Sequence, residues 1–241
     1  MVEAGSKTGY VGANRRQRIQ KRALREILDA AREELRINGP SGVTMRAVAK
    51  AVDMTPSGLY RHVSGRDELL GLVAADAYEA IGEAMRQARD RAPAGDHATA
   101  WYLTVMAMRQ WYLTHLPEYQ LLASPRVIQS PPDDLRVTGD RNFSVLARIC
   151  EDAIADRQID LESAMFATTS APAEGDLSAA ARSLTMTGMA MISGHIGFET
   201  RGMFGPVVMD LQEYFGKSVR GVMRLMGFVT EPGPLVLADL P

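Results

Sequence analysis

Thr44–Leu70 reads TMRAVAKAVDMTPSGLYRHVSGRDELL, and the spacing of its helix signals decides the fold. Thr44 is a good helix N-cap, and Val43 before it can meet Val48 across the first turn as a hydrophobic staple. The same grammar recurs at once. Thr55 is a second cap, Pro56 fills the first helical position where its missing N–H costs nothing, and Met54 can staple to Leu59. Only Val52, Asp53 and Met54 separate the two short helices, a link that forces a sharp crossing, as in a helix-turn-helix. Val48, Val52, Met54 and Leu59 are the expected shared core, with Ala49 keeping the crossing slim.

Thr55, Ser57, Gly58, Tyr60, Arg61 and His62 are then left facing outward. Helices this short are poor structures alone, so their stability must come from the helices behind them. The second needs only to enter a groove, where hydroxyls, a guanidinium and an imidazole suit phosphates and base edges. Gly58, without a side chain, is expected to let the backbone approach closely. Ser64 is expected to cap the next helix, with Asp67 closing a capping box.

Charge is distributed to match. Up to His62 the chain carries twelve basic and six acidic residues, which leaves 15 basic and 23 acidic for the remainder. A basic head on an acidic body points to a polyanion partner for the head alone. Cys150 is the single cysteine, so no internal disulfide can form and a reduced, cytoplasmic setting is expected. The N-terminus lacks the apolar stretch of a secretory signal, and no run of about 18 apolar residues is present to span a membrane. Histidines at 62, 97, 115 and 195 form no metal-ligand cluster, and no cofactor is implied.

Outward from the paired helices the chain reads as all-α, with about nine helices and no strand-like alternation. Residues 1–14 read as a flexible arm. Leu24, Ile27, Leu28, Ala31 and Leu35 lie at helical spacing, and Gly39 with Pro40 ends their helix. The fourth helix is expected from about Gly65 towards Arg91. His97–Leu116 is apolar on every face, as a buried central helix would be. Asp133–Arg157 follows, then a small-residue loop at 159–175. Asp176 is the expected cap of a helix through Met203, and Pro206 the expected start of the last. Val207, Leu211, Tyr214, Phe215, Val222, Leu225 and Met226 give that last helix one apolar stripe, suited to a two-fold dimer. Residues 229–241 read as an unstructured tail. The domains so drawn are 15–64, a helix-turn-helix head, and 65–228, a helical ligand-binding and dimerisation bundle.

Val43-Thr44-Met45-Arg46, Ala49, Thr55, Leu59-Tyr60, His62-Val63, Arg66 and Leu69 together resemble the motif of the tetracycline-repressor (TetR) family of bacterial transcriptional regulators. The resemblance covers about residues 20–70. It implies a three-helix DNA-binding head, a C-terminal bundle that holds a small molecule and dimerises, and operator DNA as partner. By position it carries DNA contacts onto Thr44, Arg46, Thr55, Ser57, Gly58, Tyr60, His62 and Arg66; Pro56 and Arg61 complete the candidate set. Asp53 stands where the family usually has glycine, a departure expected to leave a small strain, because Asp tolerates the left-handed backbone better than most residues. MISGHIGFETRGMF is similar to a C-terminal subtype of the family through Gly194, Phe198, Glu199, Gly202 and Phe204, with Ser193 replacing its histidine.

Trp101, Tyr102, Met106, Met108, Trp111 and Tyr112 are the candidates for lining an effector pocket, for an apolar or amphipathic molecule. Arg109 and His115 could orient a polar group of that ligand or be satisfied in the core. His195 and Glu199 lack the nucleophile or metal that would make them catalytic. Repression relieved by ligand is the leading expectation. Co-repression, activation, or an all-α carrier or enzyme with an incidental helix-turn-helix are the alternatives.

Overall fold

The computed structural model describes residues 8–124, 127, 133–168, 177–205 and 207–233, with side chains of 8–17 and 133–135 excepted. Nine helices are present among the described residues: α1 (Thr8–Gly42), α2 (Met45–Ala51), α3 (Pro56–Leu59), α4 (Arg66–Arg89), α5 (His97–Thr114), α6 (Leu116–Leu122), α7 (Asp133–Ala155), α8 (Ala179–Thr200) and α9 (Leu211–Leu225). The all-α expectation stands. The chain divides into two compact units, 1–76 with 117–132, and 77–116 with 133–241. One crossing between them falls inside α4, which carries residues of both units.

In the first unit, Ile27, Leu28, Ala31 and Leu35 of α1 are buried as their spacing requires, and Leu24 is half-buried. Helix α1 begins at Thr8, seven residues before the expected start at Arg15. Gly9 and Gly12 lower helix propensity by only about 1 kcal/mol each, and no proline stops the helix there. At its other end Gly39 has φ 67° and ψ 178°, a backbone region essentially confined to glycine, and Pro40 follows it.

The second unit is built around α5. Thirteen of its residues from Ala98 to Trp111 are buried, as expected of a helix apolar on every face. Helix α7 packs on α5 and α8, and α9 packs on α8 and α5.

Two helix starts differ from expectation for one reason. Helix α8 is capped by Ser178, whose Oγ accepts the Ala181 N–H at 3.1 Å; Asp176 lies outside the described residues. Helix α9 is capped by Asp210, which accepts the Glu213 N–H at 2.8 Å, and begins at Leu211, five residues after Pro206 was expected to open it. A proline tolerates a helix start, whereas a side-chain acceptor satisfies a donor there.

The segment after α9 is more ordered than expected through Gly233. Ile159 and Phe228 form an isolated antiparallel bridge, Val229 N–H donates to Gln158 O at 2.9 Å, and Gly233 N–H donates to Thr99 Oγ1 at 2.9 Å. Residues 234–241, and 169–176 of the expected loop, lie outside the described residues. Ile159, at the start of that loop, is buried.

Candidate functional site

Both caps of the paired short helices form as the sequence requires. Thr44 Oγ1 accepts the Ala47 N–H at 3.1 Å and Thr55 Oγ1 the Gly58 N–H at 3.1 Å, with Pro56 at the first helical position. Between them the chain reverses through paired carbonyl contacts: Met54 N–H reaches Ala49 O at 2.9 Å and Asp53 N–H reaches Lys50 O at 3.3 Å. This is the Schellman closure of a helix C-terminus, with Asp53 in its left-handed position at φ 52°. The strain expected there is therefore present. Val43, Val48 and Leu59 are completely buried and Ala49 nearly so, whereas Val52 and Met54 are only half-buried at the rim of the crossing.

Thr44, Arg46, Thr55, Pro56, Ser57, Tyr60 and Arg61 are exposed together, with Tyr60 at 53%, and His62 is half-buried beside them. Thr55 Oγ1 and Ser57 Oγ lie 3.1 Å apart, so the two hydroxyls share one hydrogen bond. Two of the ten candidates are placed otherwise than expected. Gly58 is buried, and a Cβ there would press on Thr55 Oγ1 at 3.2 Å, so its small size serves the cap of α3. Arg66 turns inward: its Nε donates to Val43 O at 2.7 Å and its Nη2 to Pro40 O. It ties the start of α4 to the α1–α2 link by satisfying carbonyls that the broken helix leaves over. The box at the start of α4 also shifts by one residue, because Glu68, not Asp67, accepts the Ser64 N–H, at 2.5 Å.

The electrostatics of the head separate two kinds of arginine. On α1, Arg22 pairs with Glu26, Arg36 with Glu33, and Arg32 with both Asp29 and Asp76. On the exposed face of α2 and α3, Arg46, Lys50 and Arg61 have no acidic partner among the described residues. Lys50 was not among the residues singled out in the sequence, and a lysine in the last turn of α2 is also favoured there by the helix dipole. Unpaired cations beside exposed hydroxyls fit phosphate oxygens and base edges.

In the second unit Trp101, Tyr102, Met106, Met108 and Trp111 are buried and Tyr112 is half-buried. Arg109 is a satisfied core residue. It meets Glu199 through two hydrogen bonds, Nε to Oε2 at 2.8 Å and Nη2 to Oε1 at 2.5 Å, and reaches Gln212 through Nη1. Its guanidinium also lies over the Phe215 ring, 4.9 Å from the centroid. His115 stacks on Trp111 with centroids 4.4 Å apart. His195 sits among the rings of Phe204, Tyr214 and Phe215, at 4.6, 5.3 and 5.0 Å. Burial pushes its pKa down; Glu199 raises it in part and Arg109 lowers it further. Burial also pushes the Cys150 thiol up to about 12, so it is held neutral and unreactive. No group of three metal-ligating side chains, and no helix long and apolar enough to cross a membrane, occurs among the described residues.

The expected apolar stripe on α9 is split by the fold. Phe215, Val222 and Met226 are buried against the unit's own core. Leu211, Tyr214, Ser218, Gly221 and Leu225 remain part-exposed, at the alternating three- and four-residue spacing of a helix-pairing seam. On α8, Met186, Met191 and Phe198 are exposed at 61%, 39% and 50%.

Comparison with known proteins agrees with this arrangement. Residues 27–73 match the family model of bacterial regulatory proteins, tetR family, and residues 101–222 match the tetracyclin repressor-like C-terminal domain. The second match alone spans half of the chain, and the protein belongs to the TetR family of bacterial regulators. It is 34% identical over 128 residues to the HTH-type transcriptional regulator Rv1816 of Mycobacterium tuberculosis and equally to Mb1846 of Mycobacterium bovis. These matches cover 52% of this chain, and the chain spans about half (54%) of the length of those relatives. In fold it is similar to a tetR-family regulatory protein from Rhodococcus RHA1, with TM-score 0.58 at 18% identity over 86% of this chain and 98% of that one. It is also similar to AibR, solved with isovaleryl coenzyme A and operator DNA, with TM-score 0.55 at 14% identity over 85% of this chain and 97% of that one. Both family models and the curated relatives group the chain with bacterial regulators.

Proposed function

We propose that the protein is a cytoplasmic, dimeric transcriptional repressor that a small molecule releases from a palindromic operator. One observation carries the reading: Arg46, Lys50 and Arg61 stand unpaired among exposed hydroxyls on α2 and α3, while the arginines of α1 named above are neutralised by acidic partners. Helix α3 enters the major groove, with Arg46 and Ser57 reading base edges and Thr44, Thr55, Tyr60 and His62 holding the backbone. The head is the segment 15–64 and the body 65–228. Two bodies pair through the α9 seam from Leu211 to Leu225 and the exposed apolar residues of α8, placing recognition helices on the order of 34–36 Å apart, one helical turn of DNA.

The effector occupies the second unit and favours a state that fits the operator poorly. Helix α4, which carries residues of both units, is one covalent route between them. Ligand and DNA then weaken each other by the same factor. The test is selection of bound duplexes from a random pool, followed by titration with and without candidate ligands. A two-fold symmetric sequence bound with steep salt dependence is the expected result. Binding to no duplex would overturn the reading, and tighter ligand binding on DNA would make the ligand a co-repressor.

A further inference from the structure

Three helices of the second unit bring polar atoms together in its apolar interior. Trp101 on α5 and Thr185 on α8 are both 0% exposed. Neither the indole Nε1–H nor the Thr185 hydroxyl has a hydrogen-bond partner. The thiol of Cys150 on α7 is a neighbour of each, and a thiol is only a weak acceptor and donor, so it leaves both groups without a strong partner. Thr185 is the more informative of the two. A helical threonine ordinarily satisfies its hydroxyl on a carbonyl three or four residues back. Thr104, equally buried, does so on Ala100 O at 2.7 Å, and Thr200 does so on Gly197 O at 3.2 Å. Thr185 does not, although its own helix offers the same carbonyls.

The neighbouring surface is apolar and adaptable. Phe228 packs on the Trp101 ring with centroids 6.1 Å apart. Gly188 on α8 leaves the other approach slim, since a Cβ there would stand 3.3 Å from Trp101 Cζ2 and 2.8 Å from Met226 Sδ. The flexible thioether of Met226 is the part of this packed contact that moves most easily.

Charge then selects the ligand class. Among the described buried side chains of this unit, Arg109 and Glu199 are the charged ones, and they neutralise each other. No buried cation is left to balance an anion, which would lie uncompensated in a low-dielectric interior.

We propose that Trp101 Nε1–H and the Thr185 hydroxyl are the polar anchor of the effector site, and that the effector is a neutral, largely apolar molecule presenting one oxygen acceptor, as in an ester or ketone. The inference rests on the reading of the chain as a ligand-responsive regulator and names the chemistry of its ligand. The probes are the methyl esters of octanoic, decanoic and dodecanoic acid against the corresponding carboxylates, titrated calorimetrically into the full chain. Trp101→Phe and Thr185→Val keep the shape and remove one donor each. Because each removes an unpartnered group, their melting temperatures stay level or rise, which confirms folding. At least one ester binds, its carboxylate binds at least about tenfold more weakly, and each variant weakens the ester by about tenfold, the worth of one hydrogen bond. Carboxylates binding as tightly as esters, esters binding both variants like the wild type, or no ester binding at any length overturns the proposal. An ester that needs both donors yet leaves operator affinity unchanged upholds the anchor and refutes the regulatory reading instead.

Discussion

Arg109 and Glu199, ninety residues apart, face each other with both guanidinium edges used and side chains 5% and 4% exposed. The pair joins α5 to α8, and Gln212 extends it to α9. Removing one partner leaves a buried charge without compensation, so Glu199→Ala should cost about 3–5 kcal/mol in denaturant unfolding. Replacing both, as Arg109→Met with Glu199→Leu, should recover most of that loss. If the double variant is as unstable as the single, the pair holds the fold by more than mutual neutralisation.

Asp53 occupies a left-handed position that glycine would occupy freely. Asp53→Gly should therefore stabilise the head by about 1 kcal/mol. A β-branched residue such as Val at 53 should destabilise it. Unfolding midpoints of the full chain decide the matter, and a destabilised Asp53→Gly would mean that the aspartate side chain contributes more than its strain costs.

On operator DNA, Lys50→Ala and Arg61→Ala should each weaken binding evenly across sequences and flatten the salt dependence by about one unit of slope. Arg46→Ala should relax base preference at one position. Arg66→Met should lower the melting temperature first, because its guanidinium holds Val43 O and Pro40 O. A stable Arg66→Met that fails only in DNA binding would reverse that assignment.

Charge on the part-exposed seam should separate subunits without unfolding them. Leu211→Glu with Tyr214→Glu is expected to sediment as a folded monomer with no operator binding. Phe215→Glu should unfold the unit instead, since Phe215 is fully buried under Arg109. A monomeric wild type at micromolar concentration would remove the dimer from the proposal.

Acid should act through His195. Its folded pKa lies below the ordinary value of 6.5, so on acidification the unfolded chain takes up the proton first. The stability linked to the neutral ring is present above about pH 6.5 and is lost as pH falls through the folded pKa. His195→Phe should flatten that part of the stability profile between about pH 5 and 7. An unchanged profile would show that other groups titrate there.

The helix-turn-helix was legible because its signals are local. The caps, the staple positions and the three-residue link all lie within one or two turns of Thr44 and Thr55, and the caps and the link form in the structure. The burial of Gly58 under the α3 cap and the inward turn of Arg66 were not legible, because neither an outward helical position nor a place in a motif reports contacts made from elsewhere, for Arg66 those with Val43 O and Pro40 O. The starts of α8 and α9 were displaced because Asp176 and Pro206 are plausible openers with better ones, Ser178 and Asp210, a few residues on. The Arg109–Glu199 pair and the tie from Gly233 to Thr99 depend on how α5, α8 and the segment after α9 meet. No spacing rule within a single helix contains that information.

The tie between Gly233 and Thr99 spans 134 residues of chain. During synthesis the paired short helices can be complete while most of the second unit is still in the ribosome, because their contacts are short in sequence. The start of α5 must wait for the segment beyond α9 to emerge before Thr99 finds that partner and Phe228 covers Trp101. The nascent protein thus has its basic head before the interior around Trp101 is closed.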